Sequence, residues 1–162
     1  MYFQNFPYTY YSLNEGANVK VITNITLRAQ VSDQIKANFV LFDEYDVKDG
    51  ETPEIVADKF YNNSLYHWII LHVNDIIDPR FDWVMTTNNL VKFCEDKYTN
   101  IYGTHHYENA AGYWVNSDAS GATPISNFQY EDRLNEEKRR IKILKPIYVE
   151  AVVSDFNKTL RL

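Results

Sequence analysis

Between Phe39 and Asn74 a strand, a tight turn and two short helices follow one another, and this run constrains the fold more than any other stretch. Phe39–Val47 is dense in β-branched and aromatic residues, which suits a pleated, half-buried surface. Asp49-Gly50 supplies a turn. Thr52 is then a good helix N-cap, Pro53 fits the first helical position, and Glu54 favours the positive end of the helix. Ile55, Val56, Lys59 and Phe60 continue that helix until Asn62-Asn63 stops it. Ser64 is expected to cap a second helix, in which Leu65, Trp68, Ile69 and His72 share a face. Ile70 and Val73 widen the apolar side, and Asn74 suits the left-handed residue that ends it.

The rest of the chain organises around this centre. Tyr2, Phe3, Phe6, Tyr8, Tyr10 and Tyr11 crowd the first eleven positions without a helical period. Val19–Leu27 alternates approximately, as a short strand or extended arm would. Residues 1–37 are therefore expected to be an N-terminal arm and 38–104 the central domain, closed by a helix starting at Thr86 or Thr87. That helix carries a stripe of Leu90, Val91, Cys94 and Tyr98. Residues 105–128 read as a hairpin (His105–Glu108 with Tyr113–Asn116) and a long loop over 109–127. Residues 129–162 begin with a charged segment in which Glu136 and Arg140 have helical pair spacing. There follows a strand in which Ile141 and Ile143 alternate against Arg140 and Lys142. A final helix opens at Lys145-Pro146, with Val149, Val152, Val153, Phe156 and Leu160 on one side, although the same residues also alternate at period two. The fold class is α+β.

Charge removes several functions. With 22 acidic and 16 basic residues the net charge is −6. Nucleic-acid binding starts from clustered Lys and Arg that neutralise phosphates, and an anionic membrane surface would repel such a chain. No apolar run approaches the roughly 20 residues needed to span a bilayer. Met1 to Val19 contains no Lys or Arg, unlike a signal peptide. One cysteine, Cys94, excludes an internal disulfide and fits a reducing compartment.

Chemical motifs are sparse. In an EF-hand register set by Asp49-Gly50, Tyr45, Val47 and Val56 would stand where calcium needs oxygen donors. Adjacent His105 and His106 on a strand would point to opposite faces, and His67 and His72 are five apart rather than four. Neither pair makes a metal site, and His72 reads as a structural residue. Asp75, Asp78 and Asp82 share one loop, and a hydrolase reading would need two of them to flank a cleft. Cys94 lies on an apolar stripe and reads as a buried thiol. No cofactor and no catalytic constellation are expected.

Two resemblances add to this. Tyr45-Asp46-Val47-Lys48-Asp49-Gly50-Glu51-Thr52, followed by Ile55-Val56-Ala57, resembles the opening of a LysM domain. The resemblance implies a small LysM-like β-α-α-β domain, although Asp78–Met85 lacks the Gly-x-x-Leu-x-Ile-Pro closing strand of glycan-binding members. Phe60 through Leu71, then Asn74-Asp75, Asp78-Pro79 and Trp83, resemble the baseplate wedge proteins of contractile-tailed, T-even-like phages (the gene product fifty-three family). So does Asn135 through Leu144. That resemblance implies a structural, non-enzymatic wedge subunit of the virion tail, assembled in the host cytoplasm. Such a subunit clamps adjacent wedges in a symmetric ring, touching neighbouring wedge subunits and the sheath-initiating wedge protein. On the residues themselves, protein contacts are expected through Tyr66, Asp78, Phe81 and Trp83, with the arm residues Tyr2, Phe3, Phe6 and Tyr8 reaching a second partner. The alternative is a peptidoglycan- or chitin-binding LysM module.

Overall fold

The computed structural model describes residues 3, 6–14, 16, 18–27, 31 and 33–160. Along the chain run β1 (Tyr8–Tyr11), β2 (Lys20–Thr23), α1 (Asp33–Lys36), β3 (Phe42–Asp46), α2 (Pro53–Tyr61), α3 (His67–Val73) and α4 (Pro79–Asp82). After them come α5 (Thr87–Lys97), β4 (Thr104–Glu108), β5 (Trp114–Val115), β6 (Thr123–Ser126), α6 (Asn127–Glu137), β7 (Arg140–Leu144) and α7 (Pro146–Thr159). The fold is α+β. Its residues group into two units, the first drawn from Met1–Tyr45, Glu51–Ile77 and Lys142–Leu162, the second from Asp46–Gly50 and Asp78–Ile141.

In the first unit, local chemistry sets α2 as expected. The Thr52 hydroxyl accepts from the Ile55 N–H, Pro53 opens the helix, and Asn62 ends it in the left-handed conformation at φ 51°. Tyr45 donates to Glu51 at 2.6 Å, and the Lys59 ammonium donates to both Tyr45 and Glu51, so β3 is tied to α2 through side chains. The next helix departs from expectation. Asn63 rather than Ser64 provides the cap, and a 3-10 turn over Ser64–Tyr66 precedes α3. Asp75, not Asn74, takes the left-handed conformation (φ 56°), and its carboxylate pairs with Lys36. Asn74 is used elsewhere: its amide donates to the Lys142 carbonyl and accepts from the Lys142 N–H.

The strand beside β3 is β7. Lys145 N–H donates to Leu41 O, and Val47 N–H donates to Arg139 O, so residue numbers run in opposite senses and the pair is antiparallel. The segment at 78–85 holds the short helix α4 instead of a strand. Phe39–Leu41 forms a 3-10 turn, so β3 starts three residues later than the composition suggested. The terminal segment is helical, and its period-two pattern is incidental: Val149, Val152 and Phe156 are the buried residues of α7. They join Phe6, Val31, Phe42, Trp68, Ile69, Val73, Leu144 and Leu160 in one core. The Trp68 and Phe156 rings lie 4.5 Å apart, and the His72 ring meets both edge-on. Burial, with Lys36 nearby, pushes the His72 imidazole down from its ordinary pKa.

In the second unit, Thr86 caps α5, and Ser126 caps α6 in a reciprocal box with Gln129. β4 is the centre of an antiparallel sheet ordered β5-β4-β6, so the expected hairpin is present and the expected loop over 109–127 is shortened by a third strand. Lys97 and Tyr98 both donate to one Glu131 oxygen, joining the end of α5 to α6. Burial raises the Glu131 pKa, but the two donated hydrogen bonds outweigh it and hold the carboxyl below its ordinary range. Cys94 is buried, and desolvation pushes its thiol up. Glu136 pairs with Arg139 rather than Arg140, and Arg140 pairs with Asp46 across the β3–β7 ladder.

Candidate protein interface

The arm begins with a buried anchor. Phe6 is 4% exposed and belongs to the first unit's core, with Phe3 edge-on to it at 5.2 Å. Pro7 then leads into β1, which pairs with β2 as an antiparallel ribbon in the register Tyr8↔Thr23, Thr9↔Ile22, Tyr10↔Val21, Tyr11↔Lys20. Successive residues point to opposite faces. Tyr8, Tyr10 and Val21 therefore share one face, and Tyr8 and Tyr10 are 76% and 79% exposed. Tyr2 lies outside the described residues. Tyr66, in the same unit, is half-buried against the core, its ring edge-on to Tyr61.

The loop residues divide as sharply. Asp78 caps α4 by accepting from Arg80 N–H, and the Arg80 guanidinium adds bonds of 3.0 and 2.8 Å to the two carboxylate oxygens. Those hydrogen bonds hold the Asp78 carboxyl below its ordinary range. Asp82 in turn accepts from the Asp78 N–H. These carboxylates build a turn and do not flank a cleft. Phe81 is 52% exposed, whereas Trp83 is 7% exposed. Of the expected contact residues, Phe6 lies in the first unit's core and Trp83 is buried, Asp78 is half-buried, and Phe3, Tyr8 and Phe81 face outward.

Phe81 stands at a groove of about 360 Å³ between α4, α5 and α6. Met85, Leu90, Phe93 and Leu134 line it, with Glu131, Asn135, Glu137 and Lys138 at its polar margin. Lys138 donates to the Phe81 carbonyl at 2.6 Å and so holds α4 against the end of α6. Sequence reasoning placed Phe81 on a surface but missed the groove, whose helical lining comes from α5 and α6, 40 positions apart. The helical i, i+3 spacing of Leu90 and Phe93, outside the expected α5 stripe, is a signal that could have found it.

A second cluster was misread. A bulge in β4 between Thr104 and His106 adds a residue, so His105 and His106 do not alternate across the sheet. Their Nδ1 atoms approach to 2.8 Å. His105 stacks on Tyr130 and His106 on Trp114, at ring separations of 4.0 and 4.1 Å. His106 Nε2 lies 2.8 Å from Glu108, which also receives Arg133. Among the described residues no three His, Cys, Asp or Glu side chains converge as metal ligands would.

The described residues thus form an α+β protein that presents aromatic and aliphatic side chains at its surface. A family model described as base plate wedge protein 53 matches residues 1–120, and the chain belongs to that family. It is a component of a phage tail baseplate. A curated relative, the baseplate wedge protein gp53 of Enterobacteria phage T4, is 30% identical over 59 residues, which is 36% of this chain and 30% of the relative. The match thus spans under a third of that relative's length.

Proposed function

We propose that the chain is a baseplate wedge subunit that clamps adjacent wedges together during assembly, in several copies around a symmetric ring. Neighbouring wedge subunits and the sheath-initiating wedge protein are its partners, and assembly takes place in the host cytoplasm. Within it, β3, α2, α3 and β7 form a LysM-like β-α-α-β core in which the closing strand comes after a long insertion. That core serves protein contact rather than glycan binding. Phe81 at the mouth of its groove is the observation that carries the reading. An exposed aromatic beside an apolar depression is the surface that a partner's buried anchor fills, and such anchors dominate interface energetics. Asp78 stiffens the turn that presents Phe81. Phe3, Tyr8 and Tyr66 supply contacts on the first unit.

Sedimentation tests it. The purified chain is incubated with insoluble peptidoglycan in one tube and with partially assembled wedges lacking this subunit in another. Co-sedimentation with wedges, weakened in Phe81→Ala, is the expected result. Binding to peptidoglycan and not to wedges would overturn the reading in favour of a LysM glycan module.

A further inference from the structure

We infer that β1 is an open docking edge that takes up an extended segment of another baseplate chain as a third strand. The inference rests on the assembly reading above and adds the kind of contact that the arm makes. In an antiparallel ladder, residues of a hydrogen-bonded pair turn their N–H and C=O inward, and those of the alternate pairs turn theirs out. Asn24 N–H donates to Pro7 O at 2.8 Å, which sets the phase. With the observed register, Thr9 and Tyr11 face β2, and Tyr8 and Tyr10 present their backbone groups outward. Among the described residues nothing donates to or accepts from them.

The two edges of the ribbon differ. On β2, Lys20 places a charge on the strand, and the Thr23 carbonyl already accepts from Ile25 N–H. Charged side chains and local bonds of this kind blunt an edge. On β1 there is no charge, bulge or internal proline, since Pro7 stands just before the strand. Outward N–H and C=O groups at strand spacing match an extended segment that adds as a further strand. The same outward residues carry the exposed Tyr8 and Tyr10 rings, which the incoming strand's side chains would cover. Charge selects the occupant. Each copy of this chain carries −6, so pairing two copies through β1 works against mutual repulsion. An uncharged segment borne on a neutral or basic chain meets no such opposition.

Residue-resolved amide hydrogen exchange on the full chain, alone and with purified wedges lacking this subunit, tests the inference. Protection should appear at Tyr8 and Tyr10 on binding, while Thr9 and Tyr11, already bonded to β2, change little. Tyr10→Pro, which removes an outward N–H, should weaken binding about tenfold beyond Tyr10→Ala, the loss expected for one interfacial hydrogen bond. Retained protection at Thr9 and Tyr11 shows that the ribbon still forms in that variant. Binding to wedges with Tyr8 and Tyr10 exchanging as in the free chain would sink strand addition and leave the assembly reading standing. Concentration-dependent protection of the chain alone would overturn it in favour of a second copy. Absence of any wedge binding would remove both proposals.

Discussion

Asn135 grips the main chain of Met85 with both ends of its side-chain amide. Its Oδ1 accepts from the Met85 N–H at 2.7 Å, and its Nδ2 donates to the Met85 carbonyl at 3.0 Å. The amide thereby replaces a strand partner where the chain between α4 and α5 has none. Asn135 is buried and Met85 half-buried, so truncation removes both bonds at a site with little room for water to replace them. Asn135→Ala should cost about 1–3 kcal/mol, since two hydrogen bonds are lost at about 0.5–1.5 kcal/mol each. Urea unfolding measures it. A loss within error of zero would mean that the loop before α5 satisfies itself in another way.

The arm is expected to contain two kinds of aromatic. Phe6 fills part of the first unit's core, and replacing a buried Phe by Ala typically costs about 3–5 kcal/mol. Tyr10 stands in solvent, and substitutions at such sites usually stay within about 0.5 kcal/mol. Phe6→Ala should therefore lower the unfolding midpoint clearly, and Tyr10→Ala should not. Deleting residues 1–18 should likewise destabilise the chain, because it removes Phe6 with the ribbon. Equal effects of the two point variants would show that the arm does not pack as one anchor and one free surface.

A parallel split is expected two residues apart in the second unit. Trp83→Ala removes a buried indole and should cost about 3–5 kcal/mol of stability. Phe81→Ala should leave stability within about 0.5 kcal/mol while weakening co-sedimentation with wedges. Differential scanning calorimetry and sedimentation, run on both variants, separate the two roles. If Phe81→Ala unfolds the second unit, the groove is a packing defect of the fold rather than a contact surface.

Local chemistry was legible where a few adjacent residues decide the outcome. Thr52-Pro53-Glu54 announces α2 because a cap needs only its own turn, and Ile141 and Ile143 announce β7 because alternation is a local pattern. The resemblance over residues 60–83 led to the family whose model covers 1–120. What stayed hidden depends on distant partners. The strand that pairs with β3 lies 94 residues away at Arg140, so the closing strand was sought in the wrong place. Phe81 and Trp83 look alike in sequence, and only tertiary packing decides which one is covered. The bulge that brings His105 beside His106 leaves no mark on composition, and Asn74 read as a helix terminator gave no hint of its hold on Lys142.

Glu108 should make the second unit sensitive to acid. Arg133 donates to both of its oxygens, at 2.8 and 2.7 Å, and His106 Nε2 lies 2.8 Å away. Arg133 first, and His106 after it, hold the Glu108 carboxyl below its ordinary range. As pH falls, the unfolded chain takes up this proton first, at about pH 4.3 for a free glutamate. The stabilisation is therefore complete above that pH and is lost as pH drops through it toward the lower folded value. Measured by urea unfolding, the stability difference between the parent chain and Glu108→Gln should shrink as pH falls below about 4.3. Added salt should reduce the difference only modestly, because Glu108 is largely buried. A difference that stays constant down to about pH 3 would show that the carboxylate's charge contributes nothing to holding β4 on α6.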